Sequence, residues 1–171
     1  MASAVTRAGD PAARLATSRA RFAALAPRVA AGEPWPLAEA FGTEPEASWG
    51  PREVLAHAAE MLPYWLGEYE RVVDAARGTG DGAPFGRVAA DALRIGVLER
   101  DRTLPLRELF ERIDAGIVRW ERRLASVTPA DDARAGVHSR LGEMTAADLR
   151  DRFVTGHLEE HLGQLEAILG E

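Results

Sequence analysis

Two of the four histidines, His157 and His161, stand four residues apart near the end of the chain. On a helix that spacing sets one side chain a turn above the other, so their ring nitrogens can converge on one point. On a wheel of about 100° per residue, both fall inside an apolar arc made by Leu149, Phe153, Val154, Leu158, Leu162, Leu165 and Ile168. The far side carries Arg152, Thr155, Glu159 and Glu166. Imidazoles buried in such an arc need partners for their nitrogens. A divalent cation is one solution, and hydrogen bonds to Glu, Gln or backbone within a core are the other. Spacing alone leaves both open.

Known metal patterns narrow the first solution. The protease pattern HExxH fails because Leu158 follows His157, whereas the inverted HxxEH is met literally by His157, Glu160 and His161. Only ten residues follow His161, so a third ligand has to come from upstream. Ferritin-like di-iron sites need Glu three residues before His. Val54, Ala135, Val154 and Leu158 hold those positions, which argues against a dinuclear carboxylate centre. The upstream candidate is His57, at the edge of the apolar arc of its own helix, where a boundary histidine is the competing reading. His138 falls in a loop and is expected at the surface.

The elements that must position these residues are helical. Ala and Leu dominate, and apolar residues recur at intervals of three and four. Asp10-Pro11 opens a first helix that Gly32 and Pro34 end. A second runs from about Ser48 to Pro51 as far as Arg77 and carries His57. Residues 78–86 are rich in glycine and expected to be a flexible linker, because the strand that a dinucleotide fingerprint requires before its glycines is missing. A short helix is expected over 87–101, and a long one capped by Thr103 with Pro105 at its first position. Residues 127–144 are expected to be a loop, and no strand is expected anywhere. Thr145 opens the last helix, with Asp148 completing a capping box, and the helix runs to about Leu169. These elements predict an all-α fold, a four-helix bundle with at least one long crossover connection. Its 171 residues suit a single domain spanning 1–171, with residues 1–9 expected to be disordered.

Composition removes much other chemistry. There is no cysteine, hence no disulfide, thiol nucleophile or thiolate-bound metal. All basic residues are Arg, which excludes Schiff-base lysines and the lysine of a phosphate loop. A formal charge of −6 has the wrong sign for a phosphate-neutralising nucleic-acid binder. No apolar run approaches the roughly 18 residues of a membrane span, and the N-terminus lacks a secretory apolar region. The expectation is a cytoplasmic protein acting on a small molecule, without nucleic-acid or membrane partners.

The stretch Trp49-Gly-Pro-Arg-Glu53-Val-Leu55-Ala-His57, together with His157-x-x-x-His161-x-x-Gln164 introduced by Gly142-Glu143-Met144-Thr145, resembles the DinB/YfiT-like superfamily. The separation of about a hundred residues between the histidine motifs and the helical layout match as well, so the resemblance covers nearly the whole chain. It implies a four-helix bundle in which His57, His157 and His161 hold one divalent metal ion, zinc or nickel foremost. It also implies an option to dimerise, and kinship with S-transferases and isomerases that use bacillithiol, mycothiol or a similar low-molecular-weight thiol. Gln164, and on the adjoining flank Glu160, are placed to orient the terminal histidines from behind. Glu60 and Glu68 are weaker candidates of that kind.

Three neutral imidazoles leave a divalent ion its full charge and at least one open position, the pattern of catalytic rather than structural sites. Water bound there falls to a pKa of about 7, and a thiol is deprotonated by the same field. The first expectation is therefore a metal-dependent thiol S-transferase with the thiol supplied as cosubstrate. A metal-dependent hydrolase working through hydroxide is the second, and a non-catalytic stress-response bundle that keeps a metal for stability or sensing is the third.

Overall fold

The computed structural model describes residues 9–39, 46–75 and 82–170. Helix α1, Pro11–Ala31, begins where the Asp10 carboxylate accepts the Ala12 N–H. Helix α2, Pro51–Ala75, continues through Pro63. Helices α3, Ala92–Asp101, and α4, Leu106–Leu124, follow. Thr103 does not cap α4: its hydroxyl donates to the Arg100 carbonyl and closes α3, while Pro105 takes the N-cap position. A single turn, α5, spans Pro129–Asp132. The last helical stretch comprises α6, Ala146–Arg150, a π-helical segment, Asp151–Gly156, and α7, His157–Ile168. The Thr145 and Asp148 capping box is present at its start.

The chain is mostly helical, as its periodicity requires. The expectation of no strands is corrected by a small sheet of β1, Ala83–Phe85, β2, Ala135–His138, and β3, Gly142–Thr145. β1 runs parallel to β2 with Phe85 opposite His138, and β2 pairs antiparallel with β3. Segments of three and four residues are too short to display a period of two. Two of the strands and α5 thus occupy what reads as the loop 127–144. Pro84 is tolerated because β1 is an edge strand. The linker expectation over 78–81 and the disorder expectation over 1–8 lie outside the described residues.

Helix α2 is the hub. It packs against α3, α4, α6, α7 and β1, so between Glu53 and Ala59 every residue is buried. Gly116 on α4 lets Leu62 approach, since a Cβ there would lie 2.9 Å from the Leu62 side chain. Nearby, the Trp120 indole donates to the Leu62 carbonyl over 3.0 Å. Helix α1 packs on α4 and α7. Arg14 and Arg21, seven residues apart, form bidentate pairs with Glu159 and Glu166. The face of the last helix expected to meet solvent therefore meets α1. The π segment explains part of this: its wider turn shifts the wheel by roughly one residue, so that Thr155 is buried with its hydroxyl on the Asp151 carbonyl.

Replacing Gly136 in β2 tests the union of sheet and hub, because a Cβ there would stand 2.7 Å from Val72 and 2.8 Å from Phe85. Gly136→Ala is expected to lower unfolding free energy by about 1–3 kcal/mol, the usual cost of overpacking. A urea midpoint unchanged from wild type would contradict the packing described.

Candidate metal centre

His57 lies in the second turn of α2, and His157 and His161 occupy the first turns of α7, directly after the π segment. Their Nε2 atoms meet: His57 to His157 is 3.0 Å, and His161 to His157 is 3.2 Å. The three rings stand nearly perpendicular to one another, edge to face. A fourth group, the Glu46 carboxylate, faces the same point from the turn Glu46–Ser48, with Oε2 3.5 Å from His157 Nε2 and 3.7 Å from His161 Nε2. One donor atom from each of the four residues lies within 4.8 Å of the others. His57 is buried rather than at a boundary, because α2 is enclosed by its neighbours at that level.

The far ring nitrogens decide what the near ones offer. His157 Nδ1 is 3.2 Å from the Glu160 carboxylate, which only accepts, so the ring proton belongs on Nδ1. His161 Nδ1 is 3.2 Å from Gln164 Oε1. That amide's orientation is fixed at its other end, where Nε2 donates to the Glu46 carbonyl over 2.6 Å, so the oxygen must face His161. Both rings thus present bare Nε2 lone pairs to each other at 3.2 Å. His57 Nδ1 is buried without a hydrogen-bond partner, its nearest carboxylate oxygen being Glu60 Oε2 at 3.9 Å. A tetrahedral ion with bonds of 2.0–2.1 Å separates its nitrogen ligands by about 3.3 Å, close to the spacing found. The donor set fits a divalent cation.

Burial keeps the His57 and His161 rings neutral. Desolvation, followed by the neighbouring imidazoles, pushes the His57 pKa well below 6.5. His161 is lowered to about 4, again chiefly by desolvation, with His157 adding and the Gln164 hydrogen bond opposing. Neutral imidazoles are the form that binds metal.

A cavity of about 120 Å³ opens beside the cluster, lined by Glu46, His57, Trp65, Arg87, Val88, Ala89, Arg94, Phe153 and His157. The buried Arg94 pairs with Glu46 Oε1 at 2.7 Å. Arg87 pairs with Glu60 at 2.5 Å and lies 3.7 Å above the Tyr64 ring. Trp65 and Phe153 stack face on face in the cavity wall, and His138 stacks on Phe153 in turn. A larger apolar groove of about 620 Å³ between α1 and α4 contains no histidine and lies apart from the cluster.

Sequence reasoning placed Gln164 and Glu160 behind the terminal histidines, and each touches one of them. It missed Glu46 and Arg94, which sit on a three-residue turn and a short helix with no pattern to set them apart. Of the weaker candidates, Glu60 serves Arg87, and Glu68 accepts the Gly86 N–H at 2.6 Å. His138 is buried, not superficial. Its Nδ1 accepts the Arg140 and Leu141 N–H groups, which secures the β2–β3 hairpin.

Fold and site together define a mostly helical protein in which two helices distant in the chain and a short turn bring three imidazoles and a carboxylate to one point. The chain belongs to the DinB superfamily, whose family profile matches residues 13–165. No curated protein and no solved structure matches it. No helix among the described residues is long and apolar enough to cross a membrane.

The lowered pKa of His161 has a measurable consequence in metal-free protein. As pH falls below 6.5 the unfolded chain takes up this proton before the folded one does, so stability falls with it. His161's contribution is complete above pH 6.5 and is lost progressively down to about pH 4, roughly 3 kcal/mol in all. Urea titrations of chelator-treated wild type and His161→Gln should show wild type losing more stability than the variant across that window. Parallel pH profiles would refute the assignment.

Proposed function

We propose that this protein is a metal-dependent enzyme in which His57, His157 and His161 hold one divalent ion and activate a small-molecule thiol for S-transfer. The observation that carries the reading is the convergence of Nε2 atoms whose rings are tied back by Glu160 and Gln164. The long helices α1, α2 and α4 and the α6–α7 stretch are read as the family's four-helix bundle, with the site between α2 and α7. The ion would supply Lewis acidity, lowering the proton affinity of a thiol or water held against it.

The chain's own residues do the rest. Gln164 ties the His161 ring to the backbone of the Glu46 turn, so one side chain sets two donors at once. Trp65 and Phe153 give the cavity an apolar side that limits water, and Arg94 presents a buried positive charge at its edge. Having no cysteine, the protein would take its thiol as a cosubstrate of the bacillithiol or mycothiol type.

A second reading has one specific observation behind it. Glu46 could serve as a fourth protein donor, and a closed set of four is the pattern of a structural site. Two measurements separate the readings. Elemental analysis should find about one equivalent of metal in wild type and far less in His157→Ala or His161→Ala, with far-ultraviolet circular dichroism still helical. Unchanged metal content would reject the ligand set. Thiol-consumption assays with bacillithiol, mycothiol and glutathione against a common electrophile should then show turnover with metal-loaded wild type only. Bound metal without turnover would favour the structural reading.

A further inference from the structure

Among the candidate donors, Glu46 is held differently. The side chains of His57 and His161 are 5% and 3% exposed, and their rings are enclosed by helices, whereas the Glu46 side chain is 31% exposed and borders the cavity. Its main chain is fixed, since its carbonyl accepts from Gln164 Nε2 over 2.6 Å and from the Trp49 N–H over 3.1 Å. Its carboxylate is shared: Oε1 is 2.7 Å from Arg94 and 3.6 Å from His57 Nε2, while Oε2 faces His157 and His161. One anion thus spans a guanidinium and the point where the lone pairs meet. Such a carboxylate can give up one partner without becoming an unpaired charge.

The charge balance says what would replace it. Arg94 and Glu46 cancel, as do Arg87 and Glu60, so these four side chains add no net charge. A divalent ion therefore leaves the cavity positive, which favours an anionic ligand over a neutral one. The cavity of about 120 Å³ admits the reacting end of such a molecule. A trough of about 390 Å³ that shares Arg87 with the cavity can receive the remainder.

Resting on the metal-centre reading above, we propose that Glu46 is an exchangeable donor: it fills the ion's fourth position until an anionic reactant displaces it, and the released carboxylate stays on Arg94. In this exchange one bond to the ion breaks and another forms, with no proton or electron transferred. The four-donor site is then closed at rest and open in use.

Cobalt(II)-loaded full-length protein, titrated with azide and followed by visible absorption, tests this directly. Glu46→Ala and Glu46→Gln should alter the cobalt spectrum before any azide is added, through loss of a carboxylate donor. Glu46→Ala should also bind azide at least about tenfold more tightly than wild type, because no internal ligand competes. Arg94→Gln should weaken azide binding, since Glu46 then has no second partner. A Glu46→Ala spectrum superimposable on wild type with azide affinity within about twofold would overturn the proposal. So would unchanged or tighter azide binding by a folded Arg94→Gln. Failure of the underlying reading is distinguishable: His57→Ala would then bind cobalt as wild type does.

Discussion

Bare nitrogen lone pairs facing one another inside a protein repel, and burial removes the water that would separate them. Holding the bare Nε2 atoms of His157 and His161 3.2 Å apart, with His57 Nε2 3.0 Å from His157, is therefore a constraint that the surrounding structure must meet. Protonating the rings would relieve the contact, but desolvation and mutual repulsion oppose it for His57 and His161. A cation at the centre satisfies all of these groups together, and the Glu160 and Gln164 contacts orient two of the rings toward it.

The scaffold answers that constraint by enclosing the two helices that carry the rings. Helix α2 is surrounded by α3, α4, α6 and α7, which leaves His57 little freedom. The last helix is clamped from behind by the Arg14 and Arg21 pairs to α1. The π segment immediately before His157 resets the helical phase, so Thr155 turns inward while His157 and His161 still face α2. Gln164 links this helix to the Glu46–Ser48 turn, coupling the position of the carboxylate to that of a ring. The histidine side of the site is thus held by two packed helices and the carboxylate side by a short turn.

The DinB superfamily match over residues 13–165 takes in the helices that bear the histidines as well as the charged residues around the cavity. Arg87 and Arg94, each paired with a carboxylate, border the mouth without adding net charge, so a bound ion would set the sign of the field there.

Much of the frame was legible in the residues themselves. Spacings of three and four demanded helices, Asp10 with Pro11 and Thr145 with Asp148 marked two helix starts, and the four-residue step between His157 and His161 placed two rings on one face. These are local relations, governed by backbone geometry within a few residues. Strands β1 to β3 were not legible, because segments that short show no period of two and β1 finds its partner far along the chain. The burial of His57 and His138 and the arrival of Glu46 beside Arg94 were equally hidden, since each depends on which faces of separate elements meet. Sequence alone determined the helices and the paired rings. Tertiary structure decided what closes around them, because convergence of groups from remote segments is a matter of packing and has no local signature.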